Sequence, residues 1–127
     1  MTNNDGCIFC KISSGKIPAS KVLESDNFFV ILDISPKITG HSLVISKDHY
    51  VNILDLPEVL GGELLKVIKM VSSLRLSEGA SGINVVVNNG ESAGQVVPHL
   101  HIHIIPRWKL EPGKDGELVL EEVMSGK

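Results

Sequence analysis

Aromatic residues are scarce in this chain, with three Phe, one Tyr and one Trp among 127 residues. With a formal net charge of −3, that scarcity excludes a nucleic-acid binder built on a basic footprint and stacking platforms. Long apolar runs are also missing. The longest, Phe28 to Leu32, spans five residues, against the ~18 to 20 that a membrane-spanning helix needs, so no membrane partner is expected. Met1 to Gly6 is polar and carries no basic stretch, hence no secretory-signal pattern, and a cytoplasmic location is expected. Two Cys cannot staple a fold of this size. They need not, because a chain of this length buries roughly two-thirds of its unfolded surface. A composition of 43% hydrophobic and 21% charged residues, with mean hydropathy +0.17, belongs to a compact domain and not to a disordered chain. Repeats, low-complexity tracts and linker-like stretches are absent as well, leaving one domain.

The charge is unevenly placed. Five acids and two bases lie between Glu111 and Lys127, so residues 1–110 are electroneutral. A folded domain over 1–110 and a partly disordered acidic tail over 111–127 are expected. Within the domain, Lys21 to Ser25 and Phe28 to Leu32 flank the polar cluster Ser25-Asp26-Asn27 and read as an antiparallel hairpin. Pro36 and Gly40 mark a turn before a third strand, His41 to Ser46. From Asp55 the period lengthens: Leu60, Leu64, Val67, Ile68, Val71 and Leu74 fall on one helical face. Asp55 with Glu58 resembles a capping box and Pro57 suits a first turn, so the helix is expected from there to about Leu76. Strands Ile83 to Val87 and His99 to Ile105 follow, joined by eleven residues from Asn88 to Pro98, a length typical of a working loop. Pro106, Pro112 and Gly113 close the core. Ser13-Ser14-Gly15-Lys16 glances at a phosphate loop, but Cys10 stands where its first Gly would be, and a helix end with a turn is expected instead.

Against this sparse background, three of the five His sit in Pro98-His99-Leu100-His101-Ile102-His103. On a strand, His99, His101 and His103 share one face while Leu100, Ile102 and Ile104 take the other. Two readings fit: a metal site, or a nucleophilic imidazole with helpers. Neutral imidazole is nucleophilic near pH 7 and its phosphoramidate is labile enough to hydrolyse. The neighbouring Asn88-Asn89-Gly90 and Gly94-Gln95 supply amides, backbone N–H groups and little bulk, surroundings suited to a phosphate. Cys7-Ile8-Phe9-Cys10 leaves three readings open: a redox pair, an incidental disulfide, or half of a zinc site. A thioredoxin-type motif would follow a βαβ strand, and no strand precedes residue 7.

Pro98-His99-Leu100-His101-Ile102-His103-Ile104-Ile105 resembles the alternating signature of the histidine triad (HIT) superfamily, and Gly94-Gln95 stands where that family carries Gly-Gln. The resemblance covers about residues 7–107, including Asp33-Ile34-Ser35-Pro36, Gly40-His41 and Val44-Ile45-Ser46-Lys47-Asp48-His49. It implies an α+β fold: a five-stranded antiparallel sheet with one long helix and a short N-terminal helix, expected as a homodimer. It also implies a nucleotide hydrolase or transferase acting at the α-phosphate of purine nucleotides through a nucleotidyl-histidine, phosphoramidase-like and releasing AMP. The alternatives are a dinucleoside polyphosphate hydrolase and a nucleotide-binding adaptor with little turnover. By the same resemblance His101 is the nucleophile, His103 contacts the phosphate or leaving group, and His41 supports the triad. Asn88, Gly94 and Gln95 would bind phosphate oxygens, Asp33 the ribose hydroxyls, and Phe9, Ile17 and Ile31 the base. Some bacterial relatives, and the related galactose-1-phosphate uridylyltransferases, resemble it further in a structural Zn2+ site, here Cys7, Cys10, His49 and His99. One position departs: Val96 stands where branches of the family carry Ser or Thr, and valine cannot protonate a leaving group.

Overall fold

The computed structural model describes residues 6–33 and 38–109. The expected turn at Pro36, Leu110, the closing Pro112 and Gly113, and the acidic tail lie outside the described residues. Around Ser25-Asp26-Asn27, β1 (Lys21–Glu24) and β2 (Phe28–Leu32) form the expected hairpin. A carboxylate locks its turn from across the molecule. Glu63 accepts from Ser25 Oγ at 2.6 Å, from the Asn27 amide at 2.7 Å and from Asn27 Nδ2 at 2.7 Å.

The sheet continues through β3 (Ser42–Ser46), β4 (Ala80–Val86) and β5 (His101–Trp108), all antiparallel, in the order β1-β2-β3-β5-β4. Its pleat sorts the apolar residues into two clusters. Phe28, Val30, Val44, Leu100, Ile102 and Ile104 pack under the long helix α2 (Gly61–Ser77), which contributes Leu64, Val67 and Val71. On the opposite face, Phe29, Ile31, Leu43 and Ile45 pack against the short helix α1 (Ile8–Ser13) through Phe9, Cys10 and Ile12. Each such side chain, fully buried, contributes about 1.5–3 kcal/mol. Across the ladder His101 faces Ile45 and His103 faces Leu43, so both imidazoles share the face of α1. No helix among the described residues is long and apolar enough to cross a membrane.

Several element boundaries differ from the sequence reading. Helix α2 begins at Gly61, after short 3-10 turns at Ile53–Asp55 and Glu58–Leu60. Asp55 does not cap it; its carboxylate accepts from the Val51 amide at 2.9 Å. Leu56, just before Pro57, is extended at ψ 127°, as the proline ring requires, and a helix cannot run through it. Leu74 is 40% exposed, and Arg75 takes the buried place after Val71 instead. Strand β3 starts one residue after His41. Strand β4 starts earlier than expected, at Ala80. Strand β5 runs on through Pro106, which pairs with Ile83 past the last β3 pair at Ser42–Ile104, where a missing N–H removes no bond to β3. His99 lies just outside β5, because Leu100 turns its amide to Tyr50 O at 2.7 Å.

Candidate active site

Of the three clustered histidines, His101 and His103 are neighbours on β5 with ring centroids 5.3 Å apart. His101 Nδ1 lies 2.7 Å from the His99 carbonyl. A carbonyl only accepts, so the proton sits on Nδ1 and Nε2 of the neutral ring keeps its lone pair. Burial pushes the His101 pKa down, with the His99 carbonyl and the Asp33 charge opposing. The ring is therefore neutral near pH 7, with an available lone pair on Nε2. Phe9 sets its edge, at 5.2 Å between centroids.

A second set of contacts runs from Asp33 through His41 to His103. Asp33 Oδ2 is 3.5 Å from His41 Nδ1, and His41 Nε2 is 3.0 Å from His103 Nδ1. With the His41 proton turned to the carboxylate, His41 Nε2 accepts from His103 Nδ1–H. That leaves His103 Nε2 as a lone pair, ready to take up a proton. Donor atoms of these three residues lie within 4.8 Å of one another, with the contacts running in line from Asp33 to His103. Burial above all, then the charges of His101 and His41, pulls His103 down to about 3. Burial and Arg107 likewise lower His41, against the pull of Asp33.

The loop before β5 closes the site. Gly94 has φ +93°, a left-handed conformation that a side chain would strain. The side chain of Gln95 is engaged at both ends: Oε1 accepts from the Gly90 amide at 2.8 Å, while Nε2 donates to Val51 O at 2.6 Å and Val97 O at 3.0 Å. Its amide thus staples the loop. Among the described residues, Asn88 Nδ2 and His103 Nε2 are buried without a hydrogen-bond partner, each worth about 1–3 kcal/mol if left unmet. A donor and a lone pair are thereby held ready for a polar ligand. Val96 is 65% exposed. Ile17 and Ile31 line a cavity of about 350 Å³ with Ile8, Ile12, Lys21 and Leu32; Phe9 is not on its wall but beneath the histidines.

Cys7, Cys10, His49 and His99 form a separate cluster whose donor atoms all lie within 4.8 Å of one another. Both thiols are buried. His99 Nδ1 is 3.2 Å from Cys7 Sγ and 3.4 Å from Cys10 Sγ, and His49 Nδ1 is 3.1 Å from Cys10 Sγ. Tetrahedral zinc with bonds of about 2.0–2.3 Å spaces its ligands at about 3.5 Å. His99 Nε2 donates to Ser46 O at 2.7 Å, which turns the Nδ1 lone pair toward the thiols in the way that outer hydrogen bonds orient ligating histidines. Burial, chiefly, lowers His99 to about 4, against the Ser46 hydrogen bond, with His49 and His101 adding to the fall. The four residues can hold a metal ion.

Two residues absent from the sequence reading bear on the site. Arg75, on the buried face of α2, bonds to both residues flanking His41. Glu63 holds the β1–β2 turn. The signal for Arg75 is its spacing, four residues after Val71 on the stripe of Leu64 and Val67.

Comparison with known proteins agrees with this architecture. The profile of the HIT domain matches residues 14–110. An adenosine 5'-monophosphoramidase of Candida albicans is 38% identical over 112 residues, covering 84% of this chain and 74% of its own length. An adenylylsulfatase of Arabidopsis thaliana is 40% identical over 107 residues, covering 84% of this chain and 54% of its own. The crystal structure of a HIT family protein from Bacillus anthracis superposes with a TM-score of 0.78 at 37% identity, covering 94% of this chain and 90% of that one.

Proposed function

The chain belongs to the HIT domain family, and on that premise we propose that it hydrolyses purine nucleoside 5'-phosphoramidates to the monophosphate through a nucleotidyl-histidine on His101. The observation that carries the reading is the His101 ring, its proton held by the His99 carbonyl, together with the buried, unpartnered Asn88 Nδ2 and His103 Nε2. The names of the Candida and Arabidopsis relatives support AMP as the product.

In this mechanism His101 Nε2 attacks the α-phosphorus. The Nε2–P bond forms as the P–N bond to the leaving amine breaks, and the amine departs with a proton that His103 Nε2 has first taken up from water. Water then displaces His101, giving its proton to the same nitrogen and releasing AMP. Asn88 Nδ2 donates to a phosphate oxygen, the loop at Gly94 admits the phosphate close to backbone, and Gln95 fixes that loop. Asp33 accepts from the ribose, while Ile17 and Ile31 pack on the base. With Val96 in place of a hydroxyl residue, proton delivery falls to His103.

Zinc fits the Cys7, Cys10, His49 and His99 donor set and would supply structural cross-linking alone. Those ligands tie α1 to the start of β5, fixing the carbonyl that orients His101. A homodimer is part of the same proposal, its second copy covering the outward face of α2, where a groove of about 550 Å³ is lined by Gly62, Leu65, Lys66, Lys69, Met70 and Ser73. Within that groove Leu65 is 57% exposed, and Val85 on β4 is 50% exposed. Light scattering of the wild type and of Leu65→Asp tests it, a dimer and a monomer being expected.

AMP release from adenosine 5'-phosphoramidate tests the activity. Turnover by wild type and its loss in His101→Ala, with nucleotide affinity kept, is the expected result. Equal turnover by both proteins contradicts the assignment.

A further inference from the structure

We propose that Arg75 is a positioning residue for the His41–His103 pair, acting from the last turn of α2 through the backbone on both sides of His41. Arg75 is buried, at 7% exposure. Nε donates to Gly40 O at 3.1 Å, Nη2 to Ser42 Oγ at 3.0 Å and Nη1 to Glu78 Oε1 at 2.9 Å. Ser42 Oγ in turn donates to Gly40 O at 2.8 Å. The guanidinium, the Gly40 carbonyl and the Ser42 hydroxyl make a closed ring of hydrogen bonds, and His41 is the residue it brackets.

The approach is close. Gly40 has φ +85°, and a Cβ there would come within 3.2 Å of Pro106 Cγ and 3.3 Å of Arg75 Cδ and Nε. Only glycine lets this backbone lie against the arginine stem. The backbone of His41 is tied as well, its amide donating to Ile38 O and its carbonyl accepting from the Asp33 amide, both at 3.0 Å. Once residues 40 and 42 are clamped, the Cα–Cβ direction of His41 is set, and its Nε2 meets His103 Nδ1 at 3.0 Å. A planar fork with fixed N–H directions can hold a carbonyl and a hydroxyl together; a lysine ammonium cannot reproduce that geometry. The hydrogen bonds of Arg75 go to Gly40, Ser42 and Glu78 and reach no imidazole, so its effect passes through His41.

The consequence for turnover rests on the proposed role of His103 at the leaving group. In Arg75→Met, which keeps the apolar stem, kcat for adenosine 5'-phosphoramidate is expected to fall about tenfold while KM moves by less than about twofold. Arg75→Lys and Ser42→Ala, which each keep part of the clamp, fall in between. The imidazole 15N shifts of His41 and His103, recorded without substrate, should move from one fixed tautomer toward the averaged values of free rings. Folded Arg75→Met with wild-type 15N shifts and wild-type kcat overturns the proposal. If the wild type releases no AMP, the activity assignment fails and the 15N shifts still decide the role of Arg75. Should Arg75→Met not fold, Arg75→Lys and Ser42→Ala carry the same comparison, and wild-type shifts in both overturn it.

Discussion

His99 orients its neighbour with its backbone and faces two thiols with its ring: its carbonyl accepts the His101 Nδ1 proton at 2.7 Å, while its own Nδ1 lies 3.2 Å from Cys7 Sγ. Contact with the N-terminal helix and orientation of His101 therefore pass through one residue. Replacing Cys7 or Cys10 by Ser should abolish tight zinc binding and lower Tm. Activity should fall on the order of tenfold, the usual scale for losing an outer support of a site. Elemental analysis, thermal unfolding and AMP release check this; a metal-free variant of full activity and wild-type Tm contradicts it.

Acid should destabilise the fold through the buried imidazoles. His103 is held at about 3, by burial first and then by the charges of His101 and His41, whereas in the unfolded chain it titrates near the ordinary value of about 6.5. Between those values the unfolded chain binds the extra proton. Stability is thus full above about pH 6.5, declines as pH falls toward about 3 and levels off below, with a slope of up to about 1.4 kcal/mol per pH unit for a one-proton difference. Urea unfolding across this range should show a shallower pH dependence in His103→Gln than in the wild type; identical slopes contradict the assignment.

Gln95 should act on the loop and not only on substrate. Gln95→Glu keeps an acceptor for the Gly90 amide but sets a carboxylate oxygen against the Val51 and Val97 carbonyls. Amide exchange over residues 90–97 should accelerate without any nucleotide present, and kcat/KM should fall on the order of tenfold. Unchanged exchange in the free protein contradicts the staple.

Glu63→Gln keeps the shape and removes the charge that three donors share. Burial disfavours the Glu63 charge, yet the bonds from Ser25 and Asn27 hold its pKa below the usual carboxylate value. A loss of about 0.5–1.5 kcal/mol is expected at this partly solvated site, read as a lower urea midpoint with unchanged slope. A midpoint within error of the wild type contradicts it.

What the sequence disclosed follows from the range of each signal. Period-two alternation put His101 and His103 on one face opposite Ile102 and Ile104, because a strand leaves no other arrangement. The hairpin was legible from Ser25-Asp26-Asn27, but not its lock by Glu63, which depends on how α2 crosses the sheet. Asp55 looked like a cap because Glu58 and Pro57 follow it; the restriction that Pro57 places on Leu56 prevailed and moved the helix start to Gly61. His99 left the strand because Leu100 found a partner in Tyr50, a contact with no local trace. Arg75 sits on the apolar stripe, yet a charged residue near a helix end reads as solvent-facing until Gly40 and Ser42 are seen against it.

The most direct test of the account is the covalent intermediate. Adenosine 5'-phosphorimidazolide carries a leaving group good enough for the enzyme-bound species to build up. The wild type should be mixed with it, quenched rapidly in alkaline denaturant, where a histidine–phosphorus bond survives, and weighed intact. The account predicts a mass rise of one adenylyl group, mapped to His101 and absent from His101→Ala. An adduct that persists in His101→Ala, or AMP release by the wild type with no adduct at any quench time, would contradict it.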